Sequence, residues 1–160
     1  MVEECPLFFG FTLAPCEGRG FAAGIRVQGR AIARRELEGW WLDGVEPGSL
    51  ADGGASILEA VESFRTSFTR VMFGFADEAR DFGEFKAMAQ AFFEHTDVED
   101  EGRWEAARLR PRARNIPHEL QQIERETGSR PSRIEIHRLD SEQLQASPEH
   151  NRLDCLAAAA

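Results

Sequence analysis

The 160-residue chain has no run of about 18 uncharged apolar residues, the length a helix needs to cross a bilayer. Its longest apolar stretch, Pro6 to Pro15, is shorter and is interrupted by Gly10. Glu3 and Glu4 stand before that stretch, where a secretion signal carries positive charge. The expectation is a protein without a membrane span, located in the cytoplasm. Cysteine is scarce: Cys5, Cys16 and Cys155 form no C-x-x-C, so their spacing suits no zinc site. An odd count in a cytoplasmic chain reads as thiols, although a hairpin over Leu7 to Ala14 would bring Cys5 near Cys16. No serine lies in G-x-S-x-G, and Gly18-Arg19-Gly20 and Gly53-Gly54 lack the lysine and spacing of a phosphate loop. None of His95, His118, His137 and His150 is paired at i+3 or i+4 with another ligand type in a way that closes a metal shell, so solvent or capping roles are expected of them. His95 ends a predicted helix, where the macrodipole favours a cation. No cofactor, no metal and no catalytic residue is expected.

Positive charge is also in deficit. Asp and Glu total 28 against 19 Lys and Arg, for a net charge of -9. Such a surface repels phosphate, which argues against broad nucleic-acid binding and favours a basic protein partner. The charge is uneven. Glu94 to Glu101 is acidic, and Arg103, Arg108, Arg110, Arg112 and Arg114 follow it with Glu105 among them. That segment reads either as a docking strip for an anion or acidic partner, or as a solvated helix with ion pairs across the junction.

The first half carries strand signals and then a strong helix signal. Leu7 to Leu13 is aromatic-rich and reads as a buried strand or an apolar arm. Phe21 to Val27 and Arg30 to Leu37 alternate with period two, with a turn or bulge at Gln28-Gly29. After a tight turn at Glu38-Gly39, Trp40 to Val45 is a third strand of an antiparallel meander. Ser49 to Ala51 reads as a short extended piece, and Asp52-Gly53-Gly54 as a loop. Ser56 to Glu59 is a capping box that opens a long helix, with Val61, Phe64, Phe68, Val71 and Phe75 on one stripe. Asp81 to Glu84 is a second box, opening a helix that faces inward through Phe82, Phe85, Met88, Ala89 and Phe92. A bend is expected near Arg80, since Gly74 and Gly83 weaken helical continuity.

The later segment is more polar. Helices are expected over Glu99 to Leu109, Pro117 to Thr127, Asp140 to Leu144 and Ser147 to Ala160, with one strand at Arg133 to Leu139. The strand–helix–helix order of Arg133 to Ala160 also resembles a ribbon-helix-helix unit, although a short one. The end, Leu156 to Ala160, looks like the Leu-Ala-Ala tails read by bacterial unfoldase-proteases, or simply like a frayed alanine helix. The fold class is thus α+β: a small antiparallel sheet with a long helix across one face, then a mainly helical C-terminal extension. The expected division is an α+β domain over residues 1–96 and the polar extension over 97–160.

Trp40-Trp41 is the most unusual dipeptide. On a strand the two rings face opposite sides, so one enters the core and the other faces solvent, a partner, or a covering segment of the chain. Asp43 is the one acid in mid-strand, and a single carboxylate cannot hold the two metal ions of a nuclease. The candidate partner-binding residues are Trp40, Trp41, Asp43 and Glu46.

The stretch Ala31 to Ala79 resembles the HicB-like antitoxin domain of bacterial toxin–antitoxin systems. The resemblance lies in Gly39-Trp40-Trp41-Leu42 as the second hairpin strand, Val45-Glu46-Pro47-Gly48 as the turn, and Asp52-Gly53-Gly54-Ala55-Ser56 before the helix Ile57-Leu58-Glu59-Ala60. It covers about a third of the chain. It implies a partial RNase H-like sheet and a non-catalytic role, in which the domain binds and occludes a small basic ribonuclease toxin. The chain departs from the pattern in its apolar N-terminal segment and in lacking a clear DNA-binding module. The competing expectation is a self-association domain, paired with itself through exposed strand edges.

Overall fold

The computed structural model describes residues 4–110, 125–127, 131–145 and 153–159. The fold class is α+β, as expected. Among the described residues, one sheet of eight strands runs in the order β5-β4-β3-β1-β8-β6, with β2 and β7 also pairing with β3. The first strands are β1 (Glu4–Thr12), β2 (Cys16–Gly18), β3 (Phe21–Glu36), β4 (Gly39–Glu46) and β5 (Ala51–Gly54). Helices α1 (Ile57–Glu78), α2 (Phe82–Glu94) and α3 (Val98–Leu109) follow. The later described elements are β6 (Arg125–Thr127), β7 (Arg133–Arg138), α4 (Ser141–Gln145) and β8 (Leu153–Ala159).

β3 organises the sheet because it is long enough to have two partners on each side. β1 pairs along Arg26 to Arg34 and β2 along Phe21 to Ala23; β7 takes Ala23 to Gln28 and β4 takes Arg30 to Glu36. Gln28-Gly29 is therefore strand and not a turn. The irregularity falls one step later, where Arg30 pairs Glu46 and Ala31 pairs Gly44, leaving Val45 as the extra residue of a bulge.

The main core lies between one sheet face and the helices α1 and α2. Alternation sends Leu7, Phe9 and Phe11 of β1, Ile25 and Val27 of β3, and Trp40 and Leu42 of β4 into it. Ser56 caps α1 through Glu59 N–H, and Asp81 caps α2 through Glu84 N–H, as both boxes predict. The chain breaks between the two helices at Ala79-Arg80. The inward stripe of α1 begins as expected with Val61, Phe64 and Phe68. It then continues through Met72 and Ala76, leaving Val71 and Phe75 only partly buried. The ring of Phe9 meets Phe64 edge-on at 5.2 Å, and that of Phe11 meets Phe68 at 5.5 Å.

The tail differs most from expectation. Arg125–Thr127 and Leu153–Ala159 are strands where helices are expected, and β8 pairs antiparallel with Leu7 to Phe11 of β1. Among the described residues the C-terminal part mixes strand with helix, and strands from both sides of residue 97 share one sheet. A ribbon-helix-helix reading loses its second helix to β8. β7 forms as expected, with Ile136 buried and Ile134 packed against the core. Asp52-Gly53-Gly54, expected as a loop, is strand β5. The other expectations for 111–124 and 146–152, including His118, His150, Arg112 and Arg114, lie outside the described residues.

Cys16 is a free thiol with no exposed surface, so no disulfide joins it to Cys5. Burial pushes the Cys16 thiol up from 9.0 to about 12. The folded state therefore keeps its proton after the unfolded chain has begun to lose it. The thiol's contribution is complete below pH 9.0 and is lost as the pH climbs from there to about 12. Within that window the group should cost about 1.4 kcal/mol per pH unit. Urea unfolding of the chain and of Cys16→Ala between pH 8 and pH 11 checks this: the variant should show the shallower decline.

Candidate functional site

The second face of the sheet carries the polar residues of the same strands. The alternation that buries Trp40 and Leu42 turns Trp41, Asp43 and Val45 to this side, together with Arg30, Ile32 and Arg34 of β3 and Phe8 of β1. Trp40 and Trp41 thus divide as expected: Trp40 is 3% exposed in the main core and Trp41 is 37% exposed. Trp40 is therefore a core residue and offers no surface to a partner. Trp41 lies across Gly53 of β5, where any Cβ would enter its ring. That close approach explains the glycine-rich sequence of an edge strand.

Arg34, directly opposite Trp41 in the ladder, holds its guanidinium 6.0 Å from the indole centroid. Its Nε donates to Asp43 at 2.6 Å, and it also binds Glu36. The bond to Asp43 holds the Arg34 guanidinium above its ordinary value. Arg30 donates to Glu46 at 2.8 Å and to Glu101 of α3 at 2.7 and 3.0 Å. Burial pulls Arg30 down, but these two carboxylates outweigh it and keep the group above its ordinary value. Asp43 and Glu46 are each 18% exposed, so both sit inside this network and neither stands as an open charge.

α3 covers part of this face. Asp97 caps it, and Glu99, Asp100 and Glu101 fill its positive first turn. Trp104 packs edge-on against Phe8 at 5.3 Å and completes a small cluster with Ile32 and Val45, separate from the main core. Arg30 lies 5.1 Å from the Trp104 ring centre. Arg103 donates to Glu4 at 2.7 Å, to Asp100 at 3.0 Å and to Asp43 at 3.5 Å. Its bond to Glu4 above all raises the Arg103 guanidinium. Among the described residues the Trp104 indole N–H has no acceptor, a burial that costs about 1–3 kcal/mol. The acidic and arginine-rich parts of Glu94 to Leu109 accordingly serve as a helix start and as intramolecular pairs. Arg108 with Glu105 adds another such pair.

Trp41, Asp43 and Glu46 therefore share one face, and Trp40 lies on the other. The partners Arg30, Arg34, Glu4, Arg103 and Trp104 are additional to the sequence-derived set. Part of this is legible in the sequence. Arg30, Ile32 and Arg34 share a strand face by period two, beside a strand that presents Asp43. Glu4 and α3 arrive only through long-range folding. His95 caps α2, and its carbonyl accepts the Gly48 N–H at 2.9 Å, which ties the turn after β4 to the end of that helix.

The molecule is an α+β protein with an aromatic and charge-paired face on its sheet. No helix among the described residues is long and apolar enough to cross a membrane. Comparison with family models, with curated proteins and with solved structures finds no match.

Proposed function

We propose that the chain is a non-catalytic protein-binding module of the HicB-like antitoxin kind. It takes a small basic protein, a ribonuclease toxin, on the Trp41 face of its sheet, in the cytoplasm. The observation that carries this reading is the half-open Trp41 indole on a face where four carboxylates, Glu4, Glu36, Asp43 and Glu46, meet three arginines, Arg30, Arg34 and Arg103. An aromatic anchor in an acid-rich surround matches the chemistry of an arginine-rich surface. The net charge of -9 favours fast encounter with such a partner.

The test is capture of a small basic protein by the full chain in its native cells, followed by assay of its ribonuclease activity with the chain added back. Trp41→Ala should weaken suppression by about tenfold or more, as loss of an interface anchor does. The same variant should lose less than about 1 kcal/mol of stability, because its ring is partly in solvent. Suppression unchanged by Trp41→Ala would remove the face from the reading.

Self-association remains the second reading, on one specific observation. Among the described residues β5 ends the strand order and pairs only with β4, which leaves its outer edge for a second copy. Light scattering separates the two readings: a monomer alone that becomes a heterodimer with the captured protein favours the first.

A further inference from the structure

α3 is held on the Trp41-bearing face by few groups. It buries two residues, Trp104 and Ala107, where α1 buries seven. The cluster under it is separate from the main core. Among the described residues the remaining hold is electrostatic: Glu101 with Arg30 at 2.7 Å, and Arg103 with Glu4 at 2.7 Å and with Asp43 at 3.5 Å. Its outer side presents Val98 and Leu109 to solvent. Docking also shuts the Trp104 N–H away from any acceptor among the described residues. An element with so little buried apolar contact opens at a lower free energy than the core it rests on.

Arg103 brings to this face the group that a basic protein would bring. It lies between Glu4 at 2.7 Å and Asp43 at 3.5 Å, supplying a cation where the sheet's carboxylates are in surplus. We infer that α3 is a displaceable cover, in which Arg103 occupies the place that an arginine of a basic protein takes when α3 lifts. This rests on the basic-partner reading above. Lifting α3 uncovers Phe8, Ile32 and Val45 on the same face as Trp41, and so joins an apolar centre to an acidic rim. The partner's apparent affinity then includes the cost of opening, and a chain with a loosened α3 binds it more tightly.

Hydrogen exchange of the full chain, read by mass spectrometry, tests the cover. The α3 amides should exchange ahead of those of α1. Arg103→Ala should speed α3 exchange by about tenfold, the worth of one charge-assisted hydrogen bond, and leave α1 unchanged. Raising NaCl to about 1 M on the unaltered chain should act in the same direction, since screening then reaches within about 3 Å. Equal rates in α3 and α1, unmoved by salt and by Arg103→Ala, would overturn the inference. Nona-arginine serves as the basic probe. It should accelerate α3 exchange, bind Arg103→Ala more tightly than the parent, and bind Asp43→Asn more weakly. Binding that leaves α3 exchange untouched defeats the cover and spares the basic-partner reading. An α3 that opens as expected in a chain that ignores the probe defeats the basic-partner reading instead.

Discussion

Phe68→Ala is expected to destabilise the protein by about 3–5 kcal/mol. Phe68 has no exposed surface and lies in the middle of α1. Its ring meets Phe11 of β1 at 5.5 Å and Phe92 of α2 at 6.1 Å, so one side chain ties helix, sheet and second helix together. Those neighbours are anchored on different elements and cannot all move into the space left behind, so the cavity term adds to the lost transfer term. The loss is a large share of the about 5–15 kcal/mol that holds a typical domain. Urea unfolding should show a lower midpoint at an unchanged slope. Phe73→Ala, at a side chain 40% exposed on the same helix, should cost under about 1 kcal/mol. Equal costs at the two positions would mean that α1 does not bury the face described.

Gly44→Ala is expected to cost about 3 kcal/mol, at the upper end for overpacking a tight site. A Cβ there would overlap the Pro47 carbonyl oxygen and stand 2.8 Å from that of Leu50. Gly44 also donates its N–H to Leu50 at 2.8 Å, so the chain after β4 folds back on this residue and has no room to retreat. Any shift of the turn moves Glu46 away from Arg30, and the variant should weaken the Trp41 face as well as the fold. The comparison is Gly74→Ala, in α1 with nothing within 4 Å of the added atom. There alanine should stabilise by about 1 kcal/mol, through helix propensity and a less flexible unfolded chain. Thermal unfolding of both variants checks the opposite signs. A harmless Gly44→Ala would mean that the turn does not pack as described.

The elements legible in the sequence were those encoded within a few residues. Ser56 and Asp81 announce their helices because a cap and its reciprocal Glu need only four residues to act. The opposed faces of Trp40 and Trp41 follow from strand geometry alone. The break at Ala79-Arg80 falls where expected, but the Asp81 cap sets it and Gly74 does not, since α1 runs unbroken through that residue. The candidate site was half legible. Trp41, Asp43 and Glu46 do share a face, but nothing near them in sequence reveals that Arg103 from α3 reaches Asp43 or that Arg30 joins Glu46 to Glu101.

The α+β class, both capped helices, the aromatic stripe that begins α1 and the division of the paired tryptophans are encoded locally in the chain. Each depends on periodicity or on contacts within one turn. Long-range pairing settles that Gln28-Gly29 runs straight through a strand, that Asp52-Gly53-Gly54 is an edge strand beneath an indole, and that Leu153–Ala159 is a strand. Alanine favours helix, so at Leu153–Ala159 long-range pairing overrides the local preference, and the glycine-rich Ala51–Gly54 has little preference of its own for a partner to overcome. β1 supplies ladder partners to Leu153–Ala157, and the flat surface of Gly53 admits Trp41.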